Sequence, residues 1–133
     1  LSVAIIKKNG QFVDLLLQND FCFETADNDY RTPFIYACIA DHIPWMVDIY
    51  ENISLNNANQ TDKKGYSGLT YAANNKRKDF CDALFINNID VNNCKLDQNG
   101  IIEHYRNLIK RYNEALDIIF KTFTFVKTHN IIF

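Results

Sequence analysis

The chain has 133 residues, 47% of them hydrophobic and 23% charged, with a formal net charge of -2. A chain of this size can bury a core without disulfide or metal staples, and its apolar content excludes global disorder. The balance of charge gives no overall pull toward nucleic acid or anionic membrane, and no apolar run approaches the ~18 residues of a transmembrane helix.

Only 4 Gly and 2 Pro occur, which favours helices over a turn-rich β sandwich. The chain opens on Leu1 and reads as a piece of a longer protein. Asn (17) and Ile (16) are the commonest residues. Both use AT-rich codons, so the bias marks an AT-rich genome more than a function. Two N-x-[S/T] sequons, at Asn52 and Asn59, are what this much Asn produces by chance.

In chain order, the first segment places Ala4, Phe12, Val13, Leu16 and Leu17 at helical spacing. A polar stretch from Asp27 leads to Thr32-Pro33, a helix-capping residue followed by the residue best suited to a first helical position. A short helix is expected from there to about Ala40. A second helix follows, with Pro44 in its first turn and Trp45, Met46, Ile49 and Tyr50 as its apolar face. His42 is expected to help end the first of these helices. Asp62 opens the next polar turn. Ser67 caps a helix to about Asn75, and Phe80, Cys81, Leu84 and Phe85 mark another. Beyond Asp97, helices are expected over 102–112 and 114–126, although Phe123-Thr-Phe-Val126 alternates and a terminal strand competes.

These segments repeat. Asp27, Asp62 and Asp97 are 35 residues apart. On that offset Phe34 meets Leu69, Tyr36 meets Tyr71 and Ala37 meets Ala72, while Trp45-Met46 meets Phe80-Cys81. An offset of 33 lays Ala4 over Ala37 and Phe12-Val13 over Trp45-Met46. A two-helix unit of this kind buries both faces only by stacking on its neighbour.

The pattern resembles the ankyrin repeat, with its D-x-x-G-x-T-P-L-x-x-A-A opening. Asp27, Thr32, Pro33, Phe34, Ala37 and Cys38 match in one copy, and Asp62, Gly65, Ser67, Leu69, Ala72 and Ala73 in the next. The resemblance spans residues 1 to about 120. It implies an all-α ankyrin-type solenoid of stacked helix-turn-helix repeats joined by hairpin loops. The repeats fall at 1–26 (partial), 27–61, 62–96 and 97–133 (divergent, capping). Departures are Tyr30 where the family has Gly, which distorts the hairpin or puts Tyr at an unusual φ, and Ser67-Gly68 in place of Thr-Pro, which weakens that helix start. Ile102-Glu103-His104 stands where Thr-Pro-Leu is expected.

Function follows from the same likeness. The family binds proteins with its hairpin tips and the exposed side of its first helices. On this chain those positions are Asn28, Asp29, Arg31, Ile39 and Ala40, then Lys63, Lys64, Tyr66, Asn74 and Asn75, then Gln98, Asn99 and Ile101. Arg31 and Tyr66 are the foremost of them, because both types are enriched where interfaces concentrate their energy. The expected role is a scaffold or adaptor for a protein partner. A targeting or regulatory module of a larger enzyme or host-directed effector is the alternative. Residues 1–60 hold 3 basic and 8 acidic side chains and residues 61–133 hold 11 and 8, so a stacked solenoid is acidic at one end and basic at the other.

No chemistry is evident. His42, His104 and His129 are scattered, and no nucleophile elbow, phosphate loop or dinucleotide fingerprint occurs. Cys22, Cys38, Cys81 and Cys94 fit no zinc spacing. They read as reduced thiols of an intracellular, monomeric protein with no catalytic residues, no cofactor, no metal, no nucleic-acid or membrane partner. Lys76-Arg77-Lys78 reads as a solvated turn, and Trp45 as core.

Overall fold

The computed structural model describes residues 1–19 and 23–129; Cys22 lies outside them. Among the described residues eight helices follow in order: α1 (Ser2–Ile6), α2 (Gly10–Gln18), α3 (Pro33–Ala40), α4 (Ile43–Tyr50), α5 (Leu55–Ala58), α6 (Gly68–Asn74), α7 (Lys78–Ile86) and α8 (Ile101–Thr128). Among the described residues the only β pairing is the isolated bridge between Thr61 and Ser67. The architecture is the stacked helix-turn-helix solenoid that the sequence implies. α1 packs on α2, α3 on α4 and α6 on α7, while α1, α3, α6 and α8 form the row of neighbours that carries the stack.

Local chemistry starts each helix. The Thr32 hydroxyl accepts the Ile35 N–H at 3.2 Å with Pro33 at the first position, so the free amides of the first turn are partly met and φ is preset. Ser67 does better than its sequence suggests. Its hydroxyl accepts the Thr70 N–H at 3.2 Å, and the Thr70 hydroxyl accepts the Ser67 N–H at 3.3 Å. This reciprocal box replaces Thr-Pro without weakening the helix start. His42 opens α4 instead of closing α3. Its Nδ1 accepts the Trp45 N–H at 3.4 Å and its ring stacks on Trp45 at 3.9 Å. α3 is ended by Asp41, at φ +56°.

Positive φ recurs on the sequence period. The turns after α1, α3 and α6 place Lys8, Asp41 and Lys76 at φ +53°, +56° and +61°. At the hairpin tips Tyr30, Gly65 and Gly100 have φ +61°, +83° and +75°. Tyr30 therefore adopts the backbone that its two glycine counterparts adopt, at the steric cost that a Cβ brings.

The core is one ribbon along the stack. Ala4, Ala37 and Ala72 are buried at equivalent places, with Cys38 and Ala73 beside them. Small side chains bring α3 and α6 close, which makes the bulk of Phe34 hard to seat. Gly68 solves this: a Cβ there would lie 2.5 Å from Phe34 Cε2. Cys38 and Cys81 are buried free thiols, and Cys94 is a half-buried one. Burial pushes the Cys81 thiol up to about 12 and the Cys38 thiol well above its ordinary value, so neither is a ready nucleophile.

Two elements differ from expectation. α5 is a one-turn helix in a stretch with no apolar period; its signal is Ser54, whose hydroxyl accepts the Asn57 N–H at 3.1 Å. After Gly100 the chain forms one helix of 28 residues, in place of two over 102–112 and 114–126. No Gly or Pro falls between 101 and 128 to break it, and it carries through the alternating Phe123–Val126 segment. No helix among the described residues is long and apolar enough to cross a membrane.

Gly68→Ala is expected to destabilise the fold by about 1–3 kcal/mol through overpacking against Phe34, against the helix propensity of Ala. Ala72→Leu is expected to cost about the same at the α3–α6 seam. A denaturant midpoint unchanged from wild type would refute either packing assignment.

Candidate functional site

The candidate surface is built on three aspartates. Asp27 Oδ1 accepts the N–H groups of Asp29 (2.9 Å) and Arg31 (3.0 Å), and its Oδ2 accepts the Tyr36 hydroxyl. Asp62 repeats this with Lys64 and Tyr66, both at 3.0 Å, and with the Tyr71 hydroxyl at 2.5 Å. Asp97 takes the N–H groups of Asn99 (2.9 Å), Ile101 (3.2 Å) and Ile102 (2.9 Å). A short carboxylate bonded two and four residues ahead folds the backbone into a fixed tip. The residues between those bonds point outward. Adjacent tips are linked by Lys63 N–H to Asp29 C=O at 3.0 Å, and Lys95 N–H reaches Gly65 C=O at 2.8 Å.

The third unit departs from this. Arg106 stands where Tyr36 and Tyr71 stand in the other two, 35 residues on from Tyr71. Its guanidinium donates to the carbonyls of Val91 (2.5 Å), Cys94 (2.9 Å) and Asn92 (3.3 Å), holding the preceding loop against α8.

The thirteen residues singled out from the sequence divide by what their side chains do. Asn28, Asp29, Lys63, Lys64 and Gln98 are exposed at the tips, and Ile39 is exposed on α3 beside half-buried Ala40. Tyr66 is half-buried, its ring edge-on to Tyr71 at 5.3 Å. Arg31 is drawn inward: its Nε lies 3.6 Å from Asp62 Oδ2, and its guanidinium lies 5.8 Å from the Tyr36 ring centre. Asn74 Oδ1 accepts the Gln98 N–H at 2.8 Å, Asn75 Nδ2 donates to Cys38 C=O at 3.2 Å, and Asn99 Nδ2 donates to Ala73 C=O at 2.8 Å. These three tie one repeat to the next. Ile101 does not belong to the surface. It is 9% exposed and packs in the core, because the Asp97 turn swings the chain into α8 two residues earlier than the repeat pattern places it.

Tyr30 was not among the thirteen. It is 58% exposed, with Lys63 Nζ 5.7 Å from its ring centre. The signal was a large aromatic at a turn position that wants Gly. Between the first two tips, Asp29, Arg31, Asp62, Lys63 and Lys64 line a shallow hollow of about 170 Å³, wide enough for a side chain. A larger groove of about 570 Å³ runs between α4 and α7, with Ile43, Val47 and Phe80 as its floor and Lys76, Arg77 and Lys78 on its rim. On that rim Arg77 donates twice to Asp41, at 2.8 and 2.6 Å, and Lys78 pairs with Asp82 at 2.8 Å. Two of these three cations are thus spent on carboxylates, as in a solvated turn. Among the described residues no three His, Cys, Asp or Glu side chains are grouped to hold a metal ion.

The tip bonds set protonation. The Tyr36 hydroxyl holds the Asp27 carboxyl below its ordinary value, and Asp27 in turn raises Tyr36. Burial, reinforced by the bond to Asp62, pushes Tyr71 up to about 12. A lowered carboxyl stabilises above its unfolded value and loses that contribution as pH falls through the folded one. A raised phenol stabilises fully below its unfolded value and loses that contribution as pH rises through the folded one. Denaturant midpoints against pH are therefore expected to fall at acid pH, less steeply in Tyr36→Phe. They are expected to fall again as pH rises toward about 12, less steeply in Tyr71→Phe. Asp62→Ala, which orphans two amides and a hydroxyl, is expected to cost about 2–3 kcal/mol, and Asp29→Ala less than about 0.5 kcal/mol. Equal costs would refute the assigned roles.

A family model described as ankyrin repeats, in three copies, matches residues 1–95. Comparison with curated proteins and with solved structures returned no match. The match covers well over half of the sequence, and it falls on the stacked helix pairs and the aspartate-held tips of residues 27–66. The chain belongs to the ankyrin repeat family.

Proposed function

We propose that this chain is a scaffold that holds a protein partner against its hairpin tips and the adjoining exposed side of α3 and α6. Ankyrin repeats are generally protein–protein interaction modules. The single observation that supports this surface is Tyr30. A bulky aromatic held at φ +61° and 58% exposed is a position where local stability has been given up, and such strain gathers where a site is used. Around it stand Asn28, Asp29, Lys63 and Lys64, a mixed acidic and basic rim suited to orienting a charged partner. Tyr66 lies on the next tip, and Gln98 is the exposed polar member of the third. Arg31, Asn74, Asn75 and Asn99 brace this surface through the contacts that tie one repeat to the next, and Ile101 has no part in it. No residue is assigned a catalytic role. The acidic and basic halves of the sequence add a polarity along the stack that favours one docking direction.

Tyr30→Gly separates stability from binding. It removes the left-handed strain and is expected to raise stability by about 1 kcal/mol. It is also expected to weaken capture of whatever protein the wild-type chain retains from an extract of its source cells, as is Lys63→Glu/Lys64→Glu. Ile86→Ser, at an exposed site on α7, is expected to leave that capture unchanged. Equal capture by all four proteins would overturn the assignment of this surface.

A further inference from the structure

The last helix carries a pattern that the solenoid does not use up. From Ile102 one row of its apolar residues runs through Tyr105, Ile109, Tyr112, Leu116, Ile119, Phe123 and Val126, spaced alternately by three and four, with Leu108, Ile118, Phe120 and Phe125 lying off it. That is the 3.5-residue period of a coiled-coil seam, sustained over three and a half heptads. Ile102 and Tyr105 are 0% and 2% exposed and sit in the core, with Ile109 partly buried against it. The seam then leaves the solenoid and continues uncovered: Tyr112, Ile119 and Phe123 are 64%, 60% and 64% exposed. Among the described residues nothing covers this apolar row on the distal half of α8.

We propose that the free length of α8 pairs antiparallel with α8 of a second copy of this chain, about a two-fold axis passing between Asp117 and Ile118. Three observations single out this occupant. First, the uncovered seam is continuous with the packed one, so a helix laid on it extends an interface that already exists. Second, the seam is self-complementary. About that axis Leu116 meets Ile119, Tyr112 meets Phe123 and Ile109 meets Val126, every layer apolar on both sides, as a two-fold interface requires. Beside the central layers Asn113 faces Phe120 and Ala115 faces Thr122, so no charges oppose one another there. At the ends Lys127 comes to Arg106, whose guanidinium is already turned onto three carbonyls. Third, six such side chains from each copy remove on the order of 1,000 Å² from water, the lower bound for a specific interface. A lipid surface fits less well: Glu114 and Asp117 interrupt the cations of the polar side, where an interfacial helix is basic. The pairing replaces the monomer expected from the sequence.

Sedimentation equilibrium of the whole chain from micromolar concentration upward is expected to give twice the mass of one copy. Ile119→Asp/Phe123→Asp is expected to return it to the mass of one copy with an unchanged thermal melt, which shows the solenoid intact. A nitroxide at position 128 is expected to read about 30 Å to its mate, where parallel helices would bring it to about 10 Å. A single-copy mass throughout, a doubled mass in the double variant, the short distance, or a monomeric chain that floats with anionic phospholipid vesicles would each overturn the pairing.

Discussion

The solenoid depends on a carboxylate folded back onto its own backbone. Asp27, Asp62 and Asp97 each bind amides two and four residues ahead, and in the first two units a tyrosine nine residues on closes the other oxygen. Each such turn fixes the angle at which the following helix leaves its hairpin. It places a capping hydroxyl, Thr32 or Ser67, where the first helical amides need it. It also aims the intervening side chains outward. Without it the tips would be loops of variable shape, and stacking would lose its register.

Asparagine and glutamine carry the second layer of order. Asn57 donates to Glu24 C=O, Gln60 to Tyr30 C=O, and Asn59 accepts from Asp90 N–H; Asn74, Asn75 and Asn99 act likewise between α3, α6 and the last tip. The bonds of Asn57, Asn59, Asn74, Asn75 and Asn99 cross from one repeat to the next, while Gln60 closes its own repeat onto Tyr30. An amide side chain suits that task, because it offers donors and an acceptor without a charge to desolvate. The Asn content that looks like a genomic habit is thus partly structural.

Much of this was legible in sequence. The 35-residue spacing of the aspartates located the tips, and the recurrence of Ala and of paired apolar residues located the packed faces. The positive φ of Tyr30 is one of the two outcomes, with a distorted hairpin, that its place in the period allowed. What escaped notice depends on distance. Gly68 is explained by Phe34, a residue of the neighbouring repeat, and no local rule connects them. His42 lies between two helices and could cap either. Arg31, Asn74, Asn75 and Asn99 were assigned to the surface because their types suit binding, but each finds a partner 24 to 37 residues away. The unbroken α8 was visible in the absence of any breaker. The repeat pattern instead calls for a turn there, and so for two helices over 102–112 and 114–126.

The bonds from Asn75 to Cys38 C=O and from Asn99 to Ala73 and Asn74 C=O have a direction. In each case the last carbonyls of a helix are completed by the repeat that follows, across 37, 26 and 25 residues. A ribosome releases this chain from its N-terminal end, so α3 and then α6 emerge with their last carbonyls held only by their own turns, Asp41 N–H on Cys38 and Lys76 N–H on Ala73. Each gains its bond to the next repeat only when that repeat has been made. Order between repeats therefore travels down the nascent chain one repeat behind synthesis.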